Sequence, residues 1–168
     1  MVTRNQSLRI GGTAMEYGTI EREVHIEASP EVVFDVISSP EHIRDWWSAE
    51  TEFEPVAGST SELTWRDEAS GRVEVVPITV IDVQPPHLFS FRWTQGPGET
   101  PTPSNSLLVT FELSPSGAGT VLRLTETGFR ERGWDIAVLE EAYLDHVNGW
   151  DFLLPRIAER AVRQVAAS

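Results

Sequence analysis

Alternating apolar and polar residues predict that most of the middle of the chain is β-strand. The first alternation, between Ile20 and Ile26, indicates a strand with one buried face. Later strands are predicted around Leu63–Trp65, Arg72–Val83, Phe89–Trp93, Leu107–Leu113 and Leu122–Glu126. Pro77 lies inside the longest stretch and indicates an edge position or a bulge there, because proline cannot donate a ladder hydrogen bond. We expect a curved antiparallel sheet of about seven strands, since turn residues separate these segments.

Two short helices are predicted directly after the first strand. Ser29–Glu31 combines a hydroxyl N-cap, a proline at the first helical position and an acid in the first turn. The same signal recurs at Ser39–Glu41, and the second helix carries Trp46 and Trp47. Helices this short are unstable alone, so we expect the pair to dock on the sheet.

One long helix is predicted from Trp134 to about Val165. Apolar residues recur there at helical spacing: Leu144, Val147, Trp150, Leu154, Ile157, Ala161 and Val165. The sheet can bury one face only against this helix, so the predicted fold class is α+β. Residues 1–17 have little apolar pattern and are predicted to form a flexible N-terminal extension, which leaves residues 18–168 as a single domain.

The net charge of the chain limits the classes of partner that it can bind. The chain has 26 acids against 13 bases, all of them arginine, for a formal charge of −13. Such a chain lacks the broad positively charged surface that binds nucleic acid or an anionic membrane, so neither partner is expected. Lysine and cysteine are absent, which excludes Schiff-base chemistry, disulfides and thiolate sites. No apolar run could span a bilayer and no signal-peptide pattern is present, so we expect a cytoplasmic protein.

Metal and cofactor chemistry has no motif in the sequence. The four histidines, at positions 25, 42, 87 and 146, are far apart, and none belongs to a His-Glu-x-x-His pattern. No Gly-x-Ser-x-Gly elbow supplies a nucleophile for acyl transfer. We therefore expect neither a metal nor a cofactor.

Three motifs, in this order, carry a resemblance to a known family. The first runs from Ala28–Phe34 through Ser39–Ile43 to Trp46–Trp47. The second joins Val80–Val83, Pro85–Pro86 and Leu88–Trp93. The third joins Gly119–Leu124, Gly128–Phe129, His146–Trp150 and Leu153–Leu154. Their order and spacing resemble the SRPBCC superfamily, the START-like and birch-pollen-allergen-like helix-grip proteins. Within it they are most similar to the branch homologous to the activator of the heat-shock protein 90 ATPase. The resemblance implies a helix-grip fold with a cavity between the sheet and the long helix, often used for apolar molecules.

Aromatic residues are the candidate lining of that cavity. They are Trp47, Trp65, Phe89, Phe91, Trp93, Phe111 and Trp150. Such residues either stack against a planar ligand or fill the core. Gly149, beside Trp150, is expected to let the helix backbone approach a neighbouring element.

Glu126 and His146 are the polar candidates for ligand binding and for catalysis. If Glu126 continues the face of Leu122 and Leu124, its carboxylate points inward and needs a partner, most simply an arginine. The alternative is a strand-end residue that reaches solvent. His146 shares a helix face with Trp150 and is either a ligand donor or base, or a packed histidine with one hydrogen bond.

Three functions remain open on the sequence alone. The leading hypothesis is a non-enzymatic module that binds a small hydrophobic or aromatic molecule. The second is an enzyme of the cyclase, dehydratase or hydrolase kind, which an inward-facing pair of His146 and Glu126 would favour. The third is a protein that contacts a chaperone, and a homodimer is a further expected assembly.

Overall fold

The computed structural model describes residues 17–167, and its elements follow the predicted order. The helices are α1 (Pro30–Ser38), α2 (Pro40–Trp46) and α3 (Ile136–Ala167). The strands are β1 (Thr19–Ile26), β2 (Thr60–Asp67), β3 (Arg72–Gln84), β4 (Leu88–Trp93), β5 (Leu107–Ser116) and β6 (Gly119–Thr127). The predicted N-terminal extension lies outside the described residues except for Tyr17. That tyrosine contacts α3, because its hydroxyl donates to Glu140 Oε2 at 2.7 Å.

All six strands form one curved antiparallel sheet in the order β1-β6-β5-β4-β3-β2. The α+β helix-grip prediction is confirmed, but the expected count of about seven strands is corrected to six. Between α2 and β2 the chain forms only an isolated bridge, Glu50 with Thr64, and β3 runs without a break through Pro77. Pro77 pairs with β2 alone, because pairing of β3 with β4 begins at Ile78. A register shift follows at residues 80–82.

Side-chain alternation directs one face of the central strands into the core. Phe111 pairs with Leu124 across β5 and β6, and both side chains are fully buried. Two residues further along β6, Glu126 pairs with Val109 on one side and with Ile20 of β1 on the other. Because side chains two apart share a face, Glu126 lies on the core face with Leu124.

The helix pair packs on the sheet and also on α3. Ser29 caps α1, its Oγ accepting from the Val32 amide at 3.3 Å, while Ser39 makes no side-chain cap for α2. Phe34 of α1 meets Phe89 of β4 edge to face, as expected for a pair docked on the sheet. Arg156 of α3 donates to the backbone carbonyl of the last α2 residue at 2.9 Å. The pair is therefore held between the sheet and the long helix.

α3 begins at Ile136, two residues later than predicted, and the chain before it forms a short 3-10 helix, Arg130–Arg132, that ends at the left-handed Gly133. Its buried stripe consists of Leu139, Trp150, Leu153, Leu154, Ile157 and Ala161. Leu144 and Val165, predicted on the apolar face, are each 46% exposed. No helix in the described part of the chain is both long and apolar enough to cross a membrane.

Candidate functional site

Glu126 is a fully buried carboxylate that accepts three hydrogen bonds. Trp93 donates from Nε1 to Oε2 at 2.8 Å, and Trp150 donates from Nε1 to Oε1 at 2.8 Å. His146 Nδ1 lies 2.9 Å from the same Oε1. Glu126 comes from β6, Trp93 from β4, and His146 and Trp150 from successive turns of α3. The inward orientation of Glu126, one of two alternatives in the sequence, is therefore the one observed.

The partners of Glu126 differ from the expected arginine. Arg92 follows Phe91 on β4 and so faces away from the core, where Nη1 lies 3.4 Å from Ser106 Oγ. The indole N–H groups instead satisfy the carboxylate without adding charge, and His146 is the one titratable residue that contacts it in the described chain. Burial of a carboxylate is costly unless its lone pairs are used, and three donors reduce that cost.

The hydrogen bond to Glu126 fixes the tautomer of His146. An ionised carboxylate only accepts, so Nδ1 carries the proton and donates it. Nε2 has no hydrogen-bond partner among the described residues and remains for a ligand. Burial tends to lower the pKa of His146, but the hydrogen bond and negative charge of Glu126, aided by the charge of Asp145, outweigh it and raise the pKa above its usual value.

A small cavity lies beside this pair, between α3 and the sheet. Its volume is about 130 Å³, and it is lined by Trp47, Trp93, Asp145, His146, Gly149, Trp150 and Leu153. Trp47 is the central ring, with its centroid 5.0 Å from that of Trp93 and 5.6 Å from that of Trp150. Asp145 is exposed and Gly149 half-buried, so the cavity opens to solvent on the side of α3.

Four of the predicted site residues line this cavity, and the others lie elsewhere. Trp47, Trp93, His146 and Trp150 line it, while Glu126 lies behind it and holds three of them. The remaining predicted residues pack in or against the core: Trp65, Phe89, Phe91 and Phe111. Phe89, for example, stacks on Phe53 with centroids 6.1 Å apart.

Three lining residues were missed by the sequence reading or were read differently. Asp145 was not predicted, and Leu153 was part of the third motif but not a candidate site residue, although it follows Gly149 and Trp150 at helical spacing. Gly149 was expected to permit close backbone approach. An added Cβ at Gly149 would instead meet nothing within 4 Å, so this glycine leaves space open in the cavity wall.

The raised pKa of His146 predicts a pH dependence of stability. The folded state holds the His146 proton more tightly than the unfolded chain does. In the unfolded chain, histidine titrates at about pH 6.5. This stabilisation is complete below that pH and is lost as the pH rises through the higher folded-state pKa. Urea unfolding across this range should show the loss in the wild type and not in a His146→Gln variant. Equal pH dependence in the two proteins would contradict the coupling with Glu126.

The sheet wrapped around one long helix, with a helix pair after the first strand, defines a helix-grip protein of the SRPBCC class. The family model described as Activator of Hsp90 ATPase homolog 1-like protein matches residues 27–161. That range covers most of the chain, and the protein belongs to this family.

Solved structures share the fold at low sequence identity. The crystal structure of protein MLL2253 from Mesorhizobium loti is 23% identical, with a TM-score of 0.68 over 86% of this chain and 97% of that one. Protein NE0264 from Nitrosomonas europaea is 13% identical, with a TM-score of 0.70 over 89% and 97%. The Aha1 dimer from Colwellia psychrerythraea, a solution structure, is 19% identical, with a TM-score of 0.57 over 82% and 91%. No curated protein matches the chain in sequence.

Proposed function

We propose that the protein binds a small monocyclic aromatic molecule with one uncharged oxygen substituent, in the cavity between α3 and the sheet. The observation that carries the proposal is the cavity itself, about 130 Å³ of space with three tryptophans and His146 in its wall. A dry apolar cavity of about 150 Å³ accommodates one benzene molecule, so this space suits one ring. The indole faces supply stacking contacts for a planar ligand.

The polar groups at the cavity favour a neutral ligand. Asp145 lines the opening and Glu126 lies behind the wall, so two carboxylates face one imidazole. An aromatic acid would therefore be repelled. A carbonyl or hydroxyl oxygen can instead accept a hydrogen bond from the free Nε2 of protonated His146. The ring then provides affinity through burial, and the oxygen provides orientation.

Calorimetric titration with three matched probes tests this assignment. Toluene offers a ring alone, acetophenone adds an oxygen that only accepts, and phenol adds one that also donates. While His146 is protonated, we expect acetophenone to bind about tenfold more tightly than toluene, because a hydrogen bond to a charged donor is involved. As the pH rises through the raised pKa of His146, Nε2 becomes an acceptor and acetophenone loses this advantage, whereas phenol retains affinity by donating to it.

A His146→Gln variant is the control, since it removes the titrating group. It should bind acetophenone with no change across the same pH range. If none of the three probes binds the wild type, the proposed function fails. If all three probes bind with the same affinity at every pH, the cavity binds aromatic rings but His146 does not orient them.

A second candidate function is proton-transfer catalysis in the same cavity, and the His146–Glu126 contact favours it. A carboxylate that holds the histidine tautomer leaves Nε2 as a general acid or base. Glu126 in this arrangement positions His146, because its own oxygens are engaged by three donors. Such an enzyme would convert a bound aromatic carbonyl or hydroxyl compound, by a reaction of the cyclase, dehydratase or hydrolase kind. Mass spectra of the probes recovered after titration would reveal any turnover.

The homodimer and the chaperone contact stay predictions. Support for them comes from the family, whose description names an activator of the Hsp90 ATPase, and from the dimeric Aha1 of Colwellia psychrerythraea.

A further inference from the structure

A second, larger groove lies apart from the aromatic cavity and shares none of its lining residues. Its volume is about 860 Å³, and its walls are the segment after α2, the strands β2 and β3, and the loop after β4. Thr60 and Glu62 line it from β2, on the strand face opposite to the fully buried Leu63. Pro77 and Thr79 of β3, paired with Glu62 and Thr60, continue the same face.

Two buried polar atoms at this groove have no hydrogen-bond partner in the described structure. They are Oγ1 of Thr51 and Oε1 of Gln95, and both residues line the groove while being 96% buried. The other end of the Gln95 amide is used, since Nε2 donates to Thr79 Oγ1 at 3.4 Å. Buried polar groups are nearly always paired, so these two acceptors indicate a donor that comes from outside the chain.

The charged side chains that line the groove are all acidic, although Arg44 lies close behind it and donates to the Thr51 carbonyl at 2.7 Å. Glu50, Glu52, Glu62 and Glu99 line the groove, and no basic residue does. Glu50 is paired with Arg66 at 2.9 Å, and the Glu99 carboxylate accepts from the Gly96 amide at 3.0 Å. Glu52 and Glu62 are exposed and have neither an ion pair nor a hydrogen bond in the part of the chain that the structure describes.

The carboxylates of the groove do not form a cluster of the kind that holds a metal ion. Within residues 17–167 no three acidic or histidine side chains come close enough together to hold a metal ion. Negative groups spread along a groove instead match positive charges that are several bonds apart. The groove also has apolar surface at the half-buried Pro77.

We propose that this groove binds a linear polyamine, an aliphatic chain with ammonium groups separated by methylene segments. One ammonium donates to an unpaired acceptor of the groove wall, Gln95 Oε1 or Thr51 Oγ1. Another pairs with Glu52 and Glu62, and the methylene segments pack on Pro77. Each ammonium has three donors and no acceptor, so it can donate both to the Gln95 amide oxygen and to the groove carboxylates.

Calorimetric titration of spermidine into the full chain at low ionic strength tests the proposal. Magnesium chloride serves as a cation without the aliphatic chain, and triethylene glycol as a neutral chain of similar length. We expect spermidine to bind saturably, and we expect neither magnesium chloride nor triethylene glycol to compete with it. The double variant Glu52→Gln/Glu62→Gln should raise the spermidine Kd about tenfold, since each exposed ion pair contributes a modest share.

The matched control is Glu112→Gln/Glu159→Gln, which makes the same change in net charge at exposed sites on β5 and α3. It should alter the Kd by less than about twofold. Gln95→Met, which removes the unpaired acceptor, should weaken spermidine about fivefold. Equal weakening by the two double variants, or full displacement by magnesium, would overturn the proposal. Acetophenone affinity should be unchanged in the groove variants, so failure here is distinct from failure at the aromatic cavity.

Discussion

Replacing Glu126 with leucine should lower the free energy of unfolding by about 3–5 kcal/mol, the range for breaking a buried charged pair by removing one partner. The substitution is close in size but leaves three N–H groups without an acceptor, those of Trp93, Trp150 and His146. Two of these donors belong to indoles that are at most 8% exposed, so water cannot readily replace the carboxylate. Equilibrium unfolding in urea measures the change.

Two further variants distinguish the loss of these hydrogen bonds from other effects of replacing a strand glutamate. Glu112→Leu changes the same residue type at an exposed position of the neighbouring strand and should shift the stability by less than about 0.5 kcal/mol. Glu126→Gln keeps one good acceptor and should lie between leucine and the wild type. If Glu126→Leu matches the wild type in stability, the hydrogen bonds only balance the desolvation of the carboxylate, and Glu126 is not a structural anchor of the site.

The sequence predicted two possible orientations of Glu126, inward or towards solvent, and could not distinguish between them. Alternation from Leu122 and Leu124 places Glu126 on their face of the strand. Whether the side chain is buried depends on which residues of the neighbouring strands pair with it, and that register is not a local property of the sequence. Glu126 lies between Val109 of β5 and Ile20 of β1, which are both fully buried. Strand alternation is local, whereas pairing between segments over 100 residues apart is not.

The size of the aromatic cavity could not be predicted, because it depends on how the rings pack. The sequence identified seven aromatic candidates, six of them in strands or in α3 and Trp47 directly after α2. Trp47 takes up much of the space that a larger ligand would need, since it contacts Trp93, Trp150 and Phe91 within 6.0 Å between centroids. Ring packing of this kind has no signature in spacing or alternation.

The polar groove was also beyond the reach of the sequence. Thr51 and Gln95 lie in loops, where no periodic pattern indicates which way a side chain points. Only the folded chain brings them to one groove, together with Glu62 of β2 and the acidic residues of the neighbouring loops. Ser48, shortly after α2, and Thr94, directly after β4, have φ values of 58° and 72°. A positive φ is unusual for a threonine and cannot be read from the sequence.

The largest expected effect on ligand binding comes from filling the cavity at Gly149. This glycine is inside α3, lines the cavity, and has open space where a Cβ would be. Gly149→Ala should therefore raise the free energy of unfolding by about 0.5–1 kcal/mol, because alanine favours the helix over glycine. Gly149→Leu adds a branched side chain to the space that the ring would occupy, and acetophenone affinity should fall at least about a hundredfold.

The pair of variants distinguishes a blocked site from a damaged one. Both keep the Glu126 hydrogen bonds, so Gly149→Leu should unfold in urea near the wild-type midpoint even though it no longer binds. Gly149→Ala should retain most of the acetophenone affinity, since one methyl group takes only a small part of about 130 Å³. If Gly149→Leu is folded and still binds acetophenone with wild-type affinity, the ligand lies elsewhere, and the cavity beside His146 is a packing defect without a binding role. If it unfolds, Gly149→Val is the smaller blocking substitution to use, because the same open space receives it with less crowding.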